Sequence, residues 1–406
     1  MKKIRINLLG RIGLALVFGV ISGLFFTDWA VRIFVTFNAL FSQFLGFVIP
    51  LIILGLVSAA VGQMGRNAKN LLLITVVLAY GFTLFSGLLS YSTGAAIFPS
   101  LIDAGSAKAL ALGATPLTPY FTIEMPPLMS VMTALLLAFV LGLGMANIRS
   151  RALMEVAMDF EEIISKLITA TIIPLLPIYI FSIFLNMTYE GKVFAIMLIF
   201  IKIIGVIFVL HILLLVLQYV IAGVVVKKNP FKLLWTMLPA YATALGTQSS
   251  AATIPVTLKQ SRINGVSEEV SGFAIPLCAT IHLSGSTLKI VACALALMMM
   301  QGIPHSFTLF LGFILMLGIT MIAAPGVPGG AIMASLGILQ SILGFGETDL
   351  ALMIALYITM DSFGTACNVT GDGAIALIVD RLYKHKSQQS KVSKPEQMSE
   401  VSRFGE

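Results

Sequence analysis

The chain has 406 residues, of which 58% are hydrophobic and only 11% charged, and its mean hydropathy is +1.01. That balance excludes a soluble globular domain and leaves a polytopic membrane protein. The formal charge of +7 suggests nucleic acid at first, but the basic residues fall in alternate connections between apolar runs. That pattern marks a cytoplasmic face and excludes a nucleic-acid partner as their purpose.

Met1 to Arg11 carries Lys2, Lys3, Arg5 and Arg11 with no cleavage site behind it, and reads as a retained cytoplasmic lead-in. Apolar runs long enough to cross about 30 Å of hydrocarbon follow at 8–28, 34–63, 70–98, 126–148, 154–189, 192–226, 267–300 and 347–382, which predicts eight crossings. Arg66 and Lys69, Arg149 and Arg151, Lys227, Lys228 and Lys232, and then Lys259 and Arg262 mark one side of them. Arg381, Lys384, Lys386, Lys391 and Lys394 close the chain on that same side, while the opposite connections hold little beyond Arg32, Lys108 and Lys192. Both termini are therefore expected in the cytoplasm. The polar stretch 383–406 reads as a disordered tail. Cys278, Cys293 and Cys367 all fall inside apolar segments, which argues against disulfides.

Two apolar pieces are too short-armed to cross. The first, 229–262, has Pro239 and a small polar tip, GTQSSAAT, at Gly246 to Thr253; the second, 306–345, bends at AAPGVPGGA, Ala323 to Ala331. Each predicts a re-entrant hairpin, because irregular backbone at membrane depth is tolerated only beside protein or a water-filled cavity. Hairpin then helix occurs twice, entering from opposite sides, so the fold expected is an all-α membrane protein of eight transmembrane helices, two re-entrant hairpins and inverted repeats. The helices after the hairpins are expected to be interrupted at Ala279 to Thr287 and at Gly364 to Gly373.

The last span carries MDSFGTACNVTGDG, and at 100° per residue Asp361, Thr365, Asn368 and Asp372 share one helical face. Carboxylates in hydrocarbon are costly and point to function. A proteolytic dyad needs two carboxylates about 3 Å apart. Asp361 and Asp372 are separated by about 16 Å along one helix, so they cannot form it.

The SSAATIPVT tip, the GVPGGAIM hairpin and the D…GTACNVTGDG helix together resemble the dicarboxylate/amino acid:cation symporter family, most specifically over 229–384. The resemblance implies a homotrimer in membrane lipid working by an elevator mechanism. Segments 1–69 and 126–189 would be scaffold; segments 70–98 and 192–382 would be the transport domain, followed by the cytoplasmic tail. It implies a substrate site of Ser249, Ser250, Ser286, Lys289, Val327, Gly330, Asp361, Gly364, Thr365 and Asn368, with Asp361 taking an α-ammonium group and Val327, Pro328, Gly329 and Gly330 forming the outer gate. It implies sodium at Asp372 and Asn368 with backbone carbonyls near Cys278, Thr280 and His282, and a third sodium site at Tyr80 and Thr83. No catalytic residue is implied.

Departures from the family pattern bear on cargo. The family's NMDGT is here HLSGS, His282 to Ser286, which removes an acid from the third sodium site and raises proton coupling through His282 as an alternative. Where acidic amino-acid transporters of the family place an Arg, this chain has Gly364, which favours a neutral amino acid. Lys289 lies deep in the seventh span and must find an anion, either an acidic substrate or Asp361. Alternatives kept open are a proton-coupled amino-acid or dicarboxylate symporter and an uncoupled ion channel.

Overall fold

The structure, a computed structural model, describes residues 8–63, 69–102, 117–148, 150–191, 193–322, 324 and 329–392. Val327 and Pro328 lie outside the described residues, as do Arg66, Lys108, Arg149 and Lys192. Among the described residues there is no β-strand.

The helices run in chain order as α1 (Leu8–Gly23), α2 (Asp28–Gln63), α3 (Lys69–Leu101), α4 (Val131–Asn147), α5 (Ala152–Leu167), a π-turn (Ile168–Ile172), α6 (Ile173–Tyr189) and α7 (Val193–Val226). Then come α8 (Pro230–Thr236), α9 (Leu238–Thr247), α10 (Ser250–Ile263), α11 (Glu268–Ile281) and α12 (Ser284–Gln301), and after them α13 (Phe307–Ile322), α14 (Gly330–Leu343), α15 (Glu347–Thr359) and α16 (Asp361–Val392). Among the described residues, five stretches are long and apolar enough to cross a membrane: Asp28–Ala59, Leu71–Leu101, Ala152–Tyr189, Ile196–Val226 and Glu268–Gln301; α15 and α16 make a sixth if their bent pair counts as one span. Along α7 the outward Val209, Ile212 and Val224 are 65%, 65% and 73% exposed, a stripe that is stable only against an apolar surrounding.

Local sequence explains the ends. Pro126 and Pro127 keep 126–130 out of the helix, so α4 starts later than the apolar run does, with the Ser130 hydroxyl accepting the Thr133 amide at 3.2 Å. Asn229 caps α8 by accepting from Phe231 and Lys232, with Pro230 at the first helical position. Over the stretch expected to form the first hairpin, α9 and α10 pack together across a tip at Gln248 and Ser249; Gln248 is left-handed at φ 54° and Ser249 Oγ accepts the Ala252 amide at 3.2 Å. The arms of the second, α13 and α14, also pack together, and most of its tip lies outside the described residues.

Two expectations need correction. The polar stretch read as a disordered tail begins helical: α16 continues to Val392, aided by an i,i+4 contact of 2.6 Å between Lys384 Nζ and Asp380 Oδ2. The last span is also broken earlier than Gly364. Its break is at Met360, where α15 and α16 meet at 64°, and Gly364 to Gly373 is continuous helix.

The elements form two buried apolar clusters. The larger runs from α1, α2, α4 and α6 through α7 to α12, α14 and α15; the smaller joins α3, the end of α7, α8, α9, α11 and α16. Helix α16 packs against α7, α9, α10, α11 and α12, so its first turns sit inside the protein rather than against lipid. The three cysteines are free thiols and fully buried.

Candidate functional site at two broken helices

Two helices stop and restart in the interior, and each restart exposes backbone groups that need partners. Helix α11 ends at Ile281, His282 and Leu283 leave helical geometry, and α12 begins at Ser284. The new N-terminus is closed by a side chain from α16: Asn368 Oδ1 accepts the amides of Gly285 at 2.8 Å and Ser286 at 3.3 Å. Asn368 Nδ2 donates to Ser286 Oγ at 3.1 Å, and that hydroxyl meets the Tyr357 hydroxyl at 2.9 Å.

The other break leaves the carbonyls at the end of α15. Lys289 of α12, fully buried, donates through Nζ to Tyr357 O at 3.4 Å, Met360 O at 3.3 Å and Asp361 Oδ1 at 3.0 Å. Its ammonium also lies 3.5 Å from the centroid of the Tyr357 ring. A cation at a helix C-terminus is favourable, and a buried one needs an anion as well; Lys289 has both. Room for it comes from Gly364, where an added Cβ would stand 2.7 Å from Nζ.

Asp361 is thereby paired on both oxygens. Oδ1 takes Lys289, and Oδ2 accepts the backbone amide of Gly329 at 2.7 Å. Gly329 has φ 76°, a left-handed conformation suited to glycine, and it leads into α14. The carboxylate therefore ties the second hairpin to the origin of α16.

One turn beyond Asn368, Asp372 Oδ1 lies 2.9 Å from His282 Nδ1, with both groups buried. Gln218 of α7 donates to Ser284 Oγ at 3.2 Å, and its carbonyl oxygen and His282 Cε1 crowd Gly371, at 2.6 and 2.7 Å from where its Cβ would be. His211 Nε2 stands 3.0 Å from Gly285 O, on the same restart.

Of the residues singled out from sequence, the structure brings Ser286, Lys289, Asp361, Gly364, Asn368, Gly329 and the buried Gly330 together, and it joins His282 to Asp372. Thr365 is buried on the face between them. Ser249 and the buried Ser250 form the tip of the first hairpin. Cys278 is buried in the last turn of α11, and Thr280 Oγ1 turns back to Leu277 O at 2.7 Å. Tyr80 donates to Leu315 O at 3.2 Å, whereas Thr83 is buried with its hydroxyl unpaired. Sequence reasoning missed Tyr357 and Gln218. Tyr357 was findable, since it stands four residues before Asp361 on the same apolar run.

The arrangement is a buried cradle in which the Asp361 carboxylate is held by an internal ammonium. An incoming ammonium group competes for that carboxylate, and an incoming carboxylate competes for the lysine.

The profile of the sodium:dicarboxylate symporter family matches residues 8–382. The neutral amino acid transporter B(0) of Mus musculus is 30% identical over 160 residues, 38% of this chain and 29% of that protein. Excitatory amino acid transporter 1 of Homo sapiens is 35% identical over 167 residues, 40% of this chain and 30% of that protein. Excitatory amino acid transporter 3 of Mus musculus is 34% identical over 175 residues, 42% and 32% of the two chains. The matched stretches thus span under a third of each relative's length.

Proposed function

From the premise that the chain belongs to the sodium:dicarboxylate symporter family, we propose that it is a secondary symporter carrying a neutral α-amino acid across the cell membrane with sodium. The observation that carries the substrate class is the Lys289–Asp361 contact of 3.0 Å. Lys289 is the one buried lysine or arginine among the described residues, and it is already paired. An amino-acid zwitterion fits beside this pair, its ammonium toward Asp361 and its carboxylate toward the hairpin-tip serines. A second carboxylate on the substrate then finds no unpaired buried cation, and Gly364 supplies none.

Binding also bears on the gate. Because Asp361 Oδ2 holds the Gly329 amide, a substrate ammonium that draws on the same carboxylate alters what anchors the second hairpin. In this reading α3, α7, both hairpins, α11, α12, α15 and α16 move as one body against α1, α2, α4, α5 and α6, within a homotrimer of eight-span protomers with both termini cytoplasmic.

We assign the sodium to Asp372 and the carbonyls exposed around the His282 break, with Asn368 acting as the cap of α12. A second reading, coupling to protons, is favoured by the 2.9 Å contact of His282 with Asp372.

Reconstitution tests both. Liposomes containing the protein should exchange labelled serine for unlabelled serine saturably, faster in sodium than in choline, and should exchange glutamate and succinate poorly. Equal exchange of glutamate and serine would refute the neutral class, and absence of saturable exchange would favour a channel. Serine exchange indifferent to sodium but driven by an imposed proton gradient would move the coupling ion to the proton.

A further inference from the structure

A second cavity lies away from the paired charges. It has a volume of about 370 Å³ and opens between α2 and α6 on one side and α14 and α15 on the other, under the extended segment 117–130. That is within the size range of small-molecule sites. Its lining is largely apolar, with Leu45, Ile49, Met129 and Leu336. One wall carries a hydroxyl pair, Ser42 Oγ and the buried Tyr179 at 3.1 Å. Its one acidic lining side chain among the described residues is Glu347, in the first turn of α15. The segment above is fixed in place, since Gln43 Oε1 accepts the Met125 amide at 3.3 Å and the Arg32 guanidinium lies 4.4 Å over the Tyr120 ring and donates to Thr118 O at 2.8 Å.

We propose that this cavity is a binding site for a compact amphiphilic amine, with its apolar body against Leu45, Ile49 and Leu336 and its ammonium at Glu347 and the Ser42–Tyr179 hydroxyls. An apolar chamber with one acid at its mouth selects a cation over a neutral or anionic ligand of the same shape. An occupant bridges α2 to α14 and α15, so it touches both groups of helices assigned above to opposite sides of a moving seam. It therefore opposes their sliding without touching Asp361. The binding claim stands independently of the transport reading; only the inhibition depends on it.

The test uses the purified full chain, with 4-phenylbutylamine as probe and 4-phenylbutan-1-ol as its uncharged counterpart. The amine should raise the unfolding temperature saturably and bind more tightly than the alcohol. Glu347→Gln should weaken the amine about fivefold and leave the alcohol unchanged, since a partly exposed ion pair contributes at most about 1 kcal/mol. Gly46→Leu should abolish binding of both, because Gly46 lines the cavity and an added side chain there meets open space. Equal stabilisation of native and Gly46→Leu protein by the amine would overturn the proposal, as would equal affinity for amine and alcohol in the native chain. Serine exchange in the same liposomes separates the two readings. Amine binding with no serine exchange leaves this site standing and sinks the symporter, while serine exchange in a protein that ignores the amine does the reverse.

Discussion

The breaks at His282 and at Met360 are closed in opposite senses, each by a side chain from the other helix. At the first, a neutral amide oxygen of Asn368 meets the amides that begin α12; at the second, a full positive charge on Lys289 meets the carbonyls that end α15. Each polarity suits the helix dipole at its terminus. The two closures differ in what else they require. An amide cap is complete in itself, whereas an ammonium inside the protein demands a counter-ion, which recruits Asp361 and, through it, Gly329. The first closure is structural, and the second leaves a pair of charges that a zwitterion can enter.

The sharpest way to break that contrast is Asp361→Ala. It strands Lys289 with a buried charge and should destabilise the protein by about 3–5 kcal/mol as well as abolish serine binding. Adding Lys289→Met should restore most of the stability and none of the binding; thermal unfolding beside serine titration reads both, and an unstabilised double variant would mean the pair is not the charge balance described.

Lys289→Met alone comes next. With its internal partner gone, Asp361 is freed for the substrate ammonium, and affinity for serine should rise by roughly tenfold while the empty protein loses stability. An unchanged serine affinity argues against Lys289 as counter-ion, and a selective loss of glutamate binding assigns it to an acidic substrate.

Asn368→Ala probes the other closure. It should cost about 1–2 kcal/mol and speed amide exchange at Gly285 and Ser286, because two N–H groups lose their acceptor. Protection that survives the substitution would show that another group closes the restart.

The smallest effect is expected for Gly364→Ala, which crowds the ammonium end of Lys289 and should cost about 1 kcal/mol. In a Lys289→Met background that cost should fall, and a double-mutant cycle without coupling would place the lysine elsewhere.

The first break was legible and the second was not, for a physical reason. HLSGS puts a histidine, two serines and a glycine in an apolar run, and polar residues there imply backbone to be satisfied. YITMDSF has no glycine or proline before its aspartate, so nothing local marks Met360 as a corner. Gly364 and Gly371, inside the stretch expected to be interrupted, lie within continuous helix and make room for Lys289, Gln218 and His282. In sequence, a glycine that bends a helix and one that admits a neighbour look alike. The shared face of Asp361, Thr365, Asn368 and Asp372 followed from helical period alone and holds in the structure. For Lys289 the sequence left two anions open, an acidic substrate or Asp361, and for His282 it named no partner, because such contacts come from helices about 70 to 90 residues away and only packing chooses among anions at that range.

The burial of Cys278, Cys293 and Cys367 makes the native chain its own quiet background for thiol chemistry. Shielded thiols react slowly with maleimides. A single cysteine placed at a connection such as Lys228 can therefore report which side of the membrane it faces, with the natural three left in place. The same silence gives a clock for the interior: Cys367 lies one residue before Asn368, so any labelling of it in unmodified protein times the moments when the two broken helices come apart.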